Sequence, residues 1–406
     1  MYKVFVLFGF MLIIGSNTAQ ETATIQTFGD LTSAIETIRT TDPPKDRQAQ
    51  VDHLWDELTA AGRIPFIDGE DVAFLYRGEA DTVDWIGDFN GFAPSGGVKG
   101  ERIEGTDLWM AVTRFPMNAR FEYGILLDKN VRQVVQDLAN PLQRPGLFGG
   151  ILSELRMPEY VLPDAVVRRP DVPRGTRTDN ILIESAVLGY PLAYRVYMPA
   201  GYEEMDALAS IYALDGENFI NDDFGALPIV LDNLIADGRM RPAIAVFIDA
   251  RDPEDLSINR RGFQFTENSR YAQFITEELI PAVDDAYHTD ANSRSRAIIG
   301  GSLGGVGAFF MGAAHPDFFG QIGAFSAPLS YIARSIQLYR QASERNVNIF
   351  IVSGRPEWDV GDVSTVAGFF DLHGYPHQYL VDDGQGHSFI LWRDALDDVL
   401  PYFFPP

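Results

Sequence analysis

The stretch RAIIGGSLGGVGAFF, residues 296–310, sets one serine among five glycines directly after a short apolar run. Glycine weakens the interiors of strands and helices alike, so this density makes sense where two backbones must nearly touch. Gly300-Gly301-Ser302-Leu303-Gly304 fits G-x-S-x-G, the corner at which a strand turns sharply into a helix and presents a serine hydroxyl. In a chain with 37 glycines the pattern alone says little. Its surroundings say more: the apolar RAIIG precedes it and a helix of small residues, GGVGAFFMGAA, follows it. Gly300 and Gly304, two places either side of the serine, allow the close approach. The bland alternative is a glycine-rich turn that merely packs a helix on a sheet.

A serine hydroxyl is a poor nucleophile unless a base takes its proton and an acid orients that base. When the serine sits on such an elbow, the order along the chain is serine, acid, histidine. Of six histidines, His373, His377 and His387 follow the serine far enough to sit after a later strand. His373 ends a helical segment and His377 begins a strand, where a solvated or packed imidazole is expected. His387 falls in DDGQGHSF, a glycine-rich loop between the last strand and the last helix, and is the candidate base. The acid is expected in GRPEWDVGD after the strand VNIFIVS, where Glu357, Asp359 and Asp362 are all available; spacing alone does not choose among them. The oxyanion of acyl transfer needs two N–H donors. The residue after the nucleophile, Leu303, supplies one, and Glu217, in the turn closing the apolar strand of ASIYALDGENF, is the candidate for the other.

The rest of the chain supplies a frame for this corner. From Phe28 to Ala61, apolar residues at helical spacing predict two short helices with Asp42-Pro43 between them. Next, DVAFLYRG, DTVDWIGDFNGF, DLWMAVTRF and ARFEYGILLD alternate between turn signals, the pattern of a small antiparallel sandwich. Residues 159–179, with three prolines, read as an extended linker. After Asn180 come eight candidate strands, ILIESAVL, LAYRVYMP, ASIYAL, AIAVFID, RAIIG, QIGAFS, VNIFIVS and HQYLVD, mostly separated by helix-length segments. That alternation predicts a mostly parallel sheet covered on both faces. The organisation is therefore 1–19 signal peptide, 20–65 helical segment, 66–158 sandwich, 159–179 linker and 180–406 catalytic α/β domain.

Charge and composition remove other functions. Asp and Glu number 57 against 32 Lys and Arg, a formal charge of −25, which repels nucleic-acid phosphates and anionic membrane surfaces. The absence of cysteine leaves no disulfide, thiolate nucleophile or cysteine-ligated metal. Residues 1–19, MYKVFVLFGFMLIIGSNTA, carry an early lysine, an apolar run from Val4 to Ile14 and then small residues. This is a secretory pattern, with an apolar run too short to span a bilayer. A secreted or periplasmic protein with no membrane span after cleavage is expected.

The segments LDGENF, VFIDARD, RRGFQFTEN, FITEELIPAVDDAYHT, the GGSLGG elbow and GQGHSFILWRDAL together resemble the enterochelin-esterase and family-one carbohydrate-esterase group of α/β hydrolases. The resemblance covers most of 180–403. It implies an α/β-hydrolase fold and a Ser-His-acid esterase, with the acid falling on Glu357 ahead of Asp359, and it matches Arg261 to an arginine near the cleft that orients substrate. A salt bridge from Arg261 to Glu267 or another nearby acid is the structural alternative. FLYRGEADTVDWIGDFNGF, GTDLWMAVTRFP and ARFEYGILLD are similar to an early-set, glycogen-binding-like, immunoglobulin-like sandwich. Here the usual GDFNGW ends in Phe92, and KNVRQVV stands where a second tryptophan is often found. A sandwich that shapes access to the cleft is thus expected over a working sugar module.

The sequence as a whole predicts an exported serine esterase that needs no metal or cofactor. Its substrate is a small-molecule or polysaccharide-linked ester: a catecholate siderophore lactone, a feruloyl or acetyl polysaccharide, or a simpler ester. The alternatives are an acyltransferase of the mycolyl-transferring kind and an inactive protein that binds glycans or partners.

Overall fold

The computed structural model describes residues 25–147, 149–355 and 363–406. The signal-peptide expectation for 1–19 lies outside them, as do Glu357, Asp359 and Asp362. No described helix is long and apolar enough to cross a membrane.

Helical spacing near the start yields α1 (Phe28–Thr40) and α2 (Arg47–Ala60). Thr27 opens α1 with a capping box: its hydroxyl accepts from the Asp30 N–H while the Asp30 carboxylate accepts from the Thr27 N–H. That satisfies donors that no helical carbonyl can reach. Leu31, Ile35, Ile38, Val51, Leu54 and Leu58 form one buried seam with Leu75 and Leu108 of the sandwich. The helix pair is therefore a cover on a sheet.

The sandwich strands are β1 (Phe66–Asp68), β2 (Asp71–Arg77), β3 (Val83–Gly87), β4 (Val98–Lys99), β5 (Glu101–Arg102), β6 (Leu108–Arg114), β7 (Arg120–Leu127), β8 (Val134–Val135), β9 (Gln143–Pro145) and β10 (Ile151–Arg156). Their pairing is antiparallel, in the orders β1-β2-β6-β5 and β4-β3-β7-β10-β9, with β8 added to β7. Period-two alternation explains β2: Ala73 and Leu75 face the helix pair, while Val72 and Phe74 enter the sandwich core with Trp85, Phe121 and Tyr123. Phe74 stacks on Trp85 at 5.6 Å.

The second sheet comprises β11 (Thr176–Arg177), β12 (Ile181–Glu184), β13 (Pro191–Met198), β14 (Ala209–Leu214), β15 (Ala243–Asp249), β16 (Arg296–Gly301), β17 (Gln321–Phe325), β18 (Asn348–Gly354) and β19 (His377–Asp382). The order is β11-β13-β15-β14-β16-β17-β18-β19, with β12 also on β13. Strands β14 to β19 run parallel. Helices α3 (Gly216–Phe219), α4 (Leu227–Ala236), α5 (Arg261–Gln264), α6 (Ser269–Phe274), α7 (Ile280–Ala286), α8 (Leu303–Ala314), α9 (Ala333–Gln341), α10 (Val363–His373) and α11 (Phe389–Phe403) connect and cover them. Two apolar layers, one on each face of the sheet, bury it, as the near-continuous apolar strands require. This is the α/β-hydrolase fold behind a β-sandwich.

Two local differences from the sequence reading have physical causes. The sheet holds nine strands among the described residues, where eight were predicted: β11 lies in the stretch read as linker and pairs with Tyr197 and Met198. Two residues carry no periodicity to read, and what docks them is polar, since Gly175 N donates to Asp232 Oδ1 at 2.8 Å. Upstream, Ala165 and Val166 are buried and Asn233 Nδ2 donates to the carbonyls of Ala165 and Val167. The second difference is in YAQFITEELIPAVDDAY, predicted as one helix, where Ile275–Leu279 is a π-helical turn between α6 and α7. Pro281 follows directly; its ring has no N–H to donate and crowds the carbonyl four residues back, and a widened turn relieves both.

Where the sandwich meets the catalytic domain, charge is buried. Arg120, essentially inaccessible, lies 2.5 Å from Glu154 and 3.7 Å from Glu122, while Arg144 lies 2.6 Å from Glu122. Removing one member strands the others. Arg120→Met, which leaves Glu122 and Glu154 short of a cation, is expected to cost about 3–5 kcal/mol in chemical denaturation.

Candidate active site

Parallel strands place their carboxyl ends along one edge of a sheet, and ligands of such sheets bind there. Ser302 follows β16 at that edge with φ 56° and ψ −122°, a conformation a side-chain-bearing residue holds only when its surroundings enforce it. Ser302 N donates to Phe325 O at 2.8 Å, and Val306 N reaches back to Ser302 O. A Cβ on Gly300 would lie 2.4 Å from the Gly304 carbonyl carbon and oxygen, so the strand and helix backbones already touch. A Cβ on Gly301 would strike the Trp392 indole at 2.2 Å.

That indole organises the edge. Trp392 comes from the first turn of α11 and is buried. Its Nε1–H donates to Ser326 Oγ, after β17, at 2.8 Å, and the His387 ring meets it edge-on with centroids 5.4 Å apart. One side chain thus lies against the backbone beside Ser302 and against the imidazole of His387, bringing residues 85 positions apart to the same place. Phe389 extends the contact, packing on Trp392, on Phe219 of α3 and on Phe224.

The sandwich holds the histidine loop from the other side. Arg120 N donates to Gly384 O at 2.8 Å. A Cβ on Gly386 would approach Asp88 O to 2.4 Å. Asp88 is itself buried, and its Oδ2 accepts from Glu122 N. Burial, then the Glu122 carboxylate, push the Asp88 carboxyl well above the usual range.

Leu303 and Glu217 lie in the first turns of α8 and α3, where N–H groups lack intrahelical acceptors. Asp215, just before Glu217, is left-handed at φ 59°. It receives Arg261 through Nε at 2.7 and 2.9 Å, and Arg261 Nη2 also donates to Gly301 O at 3.0 Å. Arg261 therefore reaches the elbow as the resemblance implies. Its salt bridge is to Asp215, whereas Glu267 bonds Arg334 and Ser335. Burial, followed by Asp215 and Asp249, raises the Glu217 carboxyl to about 8. Asp249 is held by Arg251 at 2.7 Å. Asp215 and Asp249 are thereby each paired with an arginine, and burial favours the neutral form of Glu217.

The other two histidines lie apart from this constellation. His373 Nδ1 contacts Phe369 O, and His377 Nδ1 contacts Tyr375 O. Sequence reasoning missed Asp215, Trp392, and the grip of Asp88 and Arg120 on the histidine loop. Only Trp392, in the closing HSFILW segment, left a trace; the others are contacts between distant segments.

A strained serine at a strand-to-helix corner, with a histidine loop after the last parallel strand packed toward it, defines a protein of the α/β-hydrolase class. Residues 185–403 match the Esterase family, and the chain belongs to it. It is 25% identical over 384 residues to an endo-1,4-beta-xylanase/feruloyl esterase of Xylanibacter ruminicola, covering 91% of this chain and 50% of that one. The chain thus spans about half the length of that relative. Among solved structures, the ferric enterobactin esterase of Salmonella typhimurium superposes with a TM-score of 0.68 at 21% identity, over 84% of this chain and 95% of that one. A ferulic acid esterase from Anaeromyces mucronatus superposes with a TM-score of 0.50 at 18% identity, over 59% and 94%.

Two outcomes follow from this geometry. Gly386→Ala must displace the histidine loop from Asp88, so kcat for ester hydrolysis is expected to fall at least about tenfold with little change in KM. Glu217, protonated when folded but ionised when unfolded, contributes stability that is full below its ordinary value of 4.5 and is lost as pH rises toward about 8. Glu217→Gln is therefore expected to melt above the parent at pH 9 and to approach it at pH 4, a gap read by calorimetry.

Proposed function

We propose that the protein is an exported serine esterase that cleaves carboxylic esters through an acyl-enzyme. In this reading His387 takes the Ser302 proton as Oγ attacks the carbonyl carbon. The oxyanion is bound by the N–H groups of Leu303 and Glu217, and the imidazolium then protonates the departing alcohol oxygen. Water, activated by the same imidazole, attacks the acyl-enzyme and restores Ser302. Glu357 orients the imidazole, with Asp359 as its rival for that role. The observation that carries the reading is Trp392, packed against Gly301 on one side and His387 on the other.

Electrostatics supports the same assignment. A negative charge beside the oxyanion would oppose its formation. The Asp215–Arg261 pair, the Asp249–Arg251 pair and a neutral Glu217 keep these three carboxyls from presenting an unbalanced one to the donors. Arg261 acts here by holding Asp215 and the Gly301 carbonyl, and so the shape of the elbow; it serves as a positioning residue.

The substrate class proposed is an ester with an aromatic or sugar-linked component. The activities of similar proteins, a feruloyl esterase and a ferric enterobactin esterase, point that way. The apolar run in residues 1–19 supports export.

Ser302→Ala is expected to lower hydrolysis of p-nitrophenyl acetate by at least about a thousandfold in the purified protein; an unchanged rate would overturn the assignment. Glu357→Gln is expected to lower kcat at least about a hundredfold and Asp359→Asn far less. The reverse ranking would move the orienting role to Asp359.

A further inference from the structure

The wall of the cleft beside His387 belongs to the other domain. A cavity of about 460 Å³ opens between the sandwich and the catalytic domain, with His387 in its lining, within the range of about 300–1,000 Å³ usual for small-molecule sites. Phe92, Val134 and Leu152 line it from the sandwich, and Phe224 and Phe389 from the catalytic domain. Its surface is thus mostly hydrocarbon, with polar groups confined to one region. There Asp88 is 2% exposed, and its Oδ2 accepts from Glu122 N.

Which half of an ester belongs here follows from the proton path. The histidine of a serine hydrolase delivers its proton to the leaving oxygen, so the group on that oxygen lies on the imidazole's side of the carbonyl. Resting on the proposed esterase reading, we infer that this two-domain cavity is the subsite for the alcohol half of the substrate. Its occupant is an apolar, ring-bearing alcohol. The sandwich is then a specificity element of the esterase. The position where a sugar-stacking tryptophan was expected, Phe92, faces the substrate cavity instead.

The test uses the full chain with 2-phenylethyl acetate, methyl cinnamate and methyl acetate as substrates and free 2-phenylethanol as the binding probe. In the parent, kcat/KM for 2-phenylethyl acetate is expected to exceed that for methyl acetate by about tenfold, because only the ring fills the apolar cavity. Val134→Trp and Val131→Trp, both at exposed edges of the cavity, are expected to lower the ratio of kcat/KM for 2-phenylethyl acetate over methyl acetate by about tenfold. Melting curves verify that they fold. If these variants instead lower the ratio for methyl cinnamate over methyl acetate and spare the 2-phenylethyl ratio, the cavity holds the acyl half and the inference fails. It also fails if neither ratio moves. Calorimetric binding of free 2-phenylethanol separates this from the esterase reading. Binding of 2-phenylethanol that Val134→Trp abolishes, in a protein that hydrolyses no ester, would remove the proposed reaction and leave the site; ester hydrolysis with no 2-phenylethanol bound would do the opposite.

Discussion

The contact between the Trp392 indole and the backbone of Gly301 is the constraint on which the reactive edge depends. A flat ring can lie 2.2 Å from where a Cβ would stand only because residue 301 has none. Once seated, the ring is fixed by its bond to Ser326 Oγ and offers its flank to His387. Strand β16, strand β17 and the loop after β19 are thereby tied to one buried side chain, so the relative placement of Ser302 and His387 does not depend on flexible surface contacts. The strained backbone at Ser302 is sustained by the same packing, together with its N–H bond to Phe325 and the Gly300–Gly304 contact.

The histidine loop has a second anchor, outside its own domain. Gly384 accepts from the Arg120 backbone and Gly386 lies against the Asp88 carbonyl. Behind these contacts sits the buried group of Arg120, Glu122, Arg144 and Glu154. Buried ion pairs are weak sources of net stability, because desolvation cancels most of their attraction. Their hydrogen-bond geometry nevertheless admits few arrangements, which suits a seam that must hold one loop in one place. Tyr160 adds a third tie, donating to Asp394 of α11 at 2.8 Å.

Much of this was legible in the sequence, for reasons that differ by element. The parallel strands are continuous apolar runs, and the sandwich strands alternate with period two, so both sheets could be read. The elbow was legible because its glycines leave a pattern five residues long. The π-helical turn could have been anticipated from Pro281, whereas β11 could not, since Asp232 docks it from a distant helix. Arg261 illustrates the limit: its position near the cleft came from resemblance, but its partner, Asp215, is 46 residues away. Pairings of this kind are set by topology, and a chain without aligned relatives gives no local sign of them.

Acidity, read from composition, bears on solubility and partners, yet inside the fold it becomes a problem of placement. Asp215, Glu217 and Asp249 fall within a short distance of the elbow because the β14 and β15 carboxyl ends are neighbours in the sheet. Three ionised carboxylates there would raise the cost of any developing oxyanion. The fold resolves this with two arginines, Arg261 and Arg251, and by burial that keeps Glu217 protonated. A net-negative protein can in this way balance the carboxyls at this edge, which suits the backbone N–H groups of Leu303 and Glu217 proposed to bind the oxyanion. Charge balance at the elbow therefore rests on Arg261 and Arg251 as much as on the residues proposed to touch the ester.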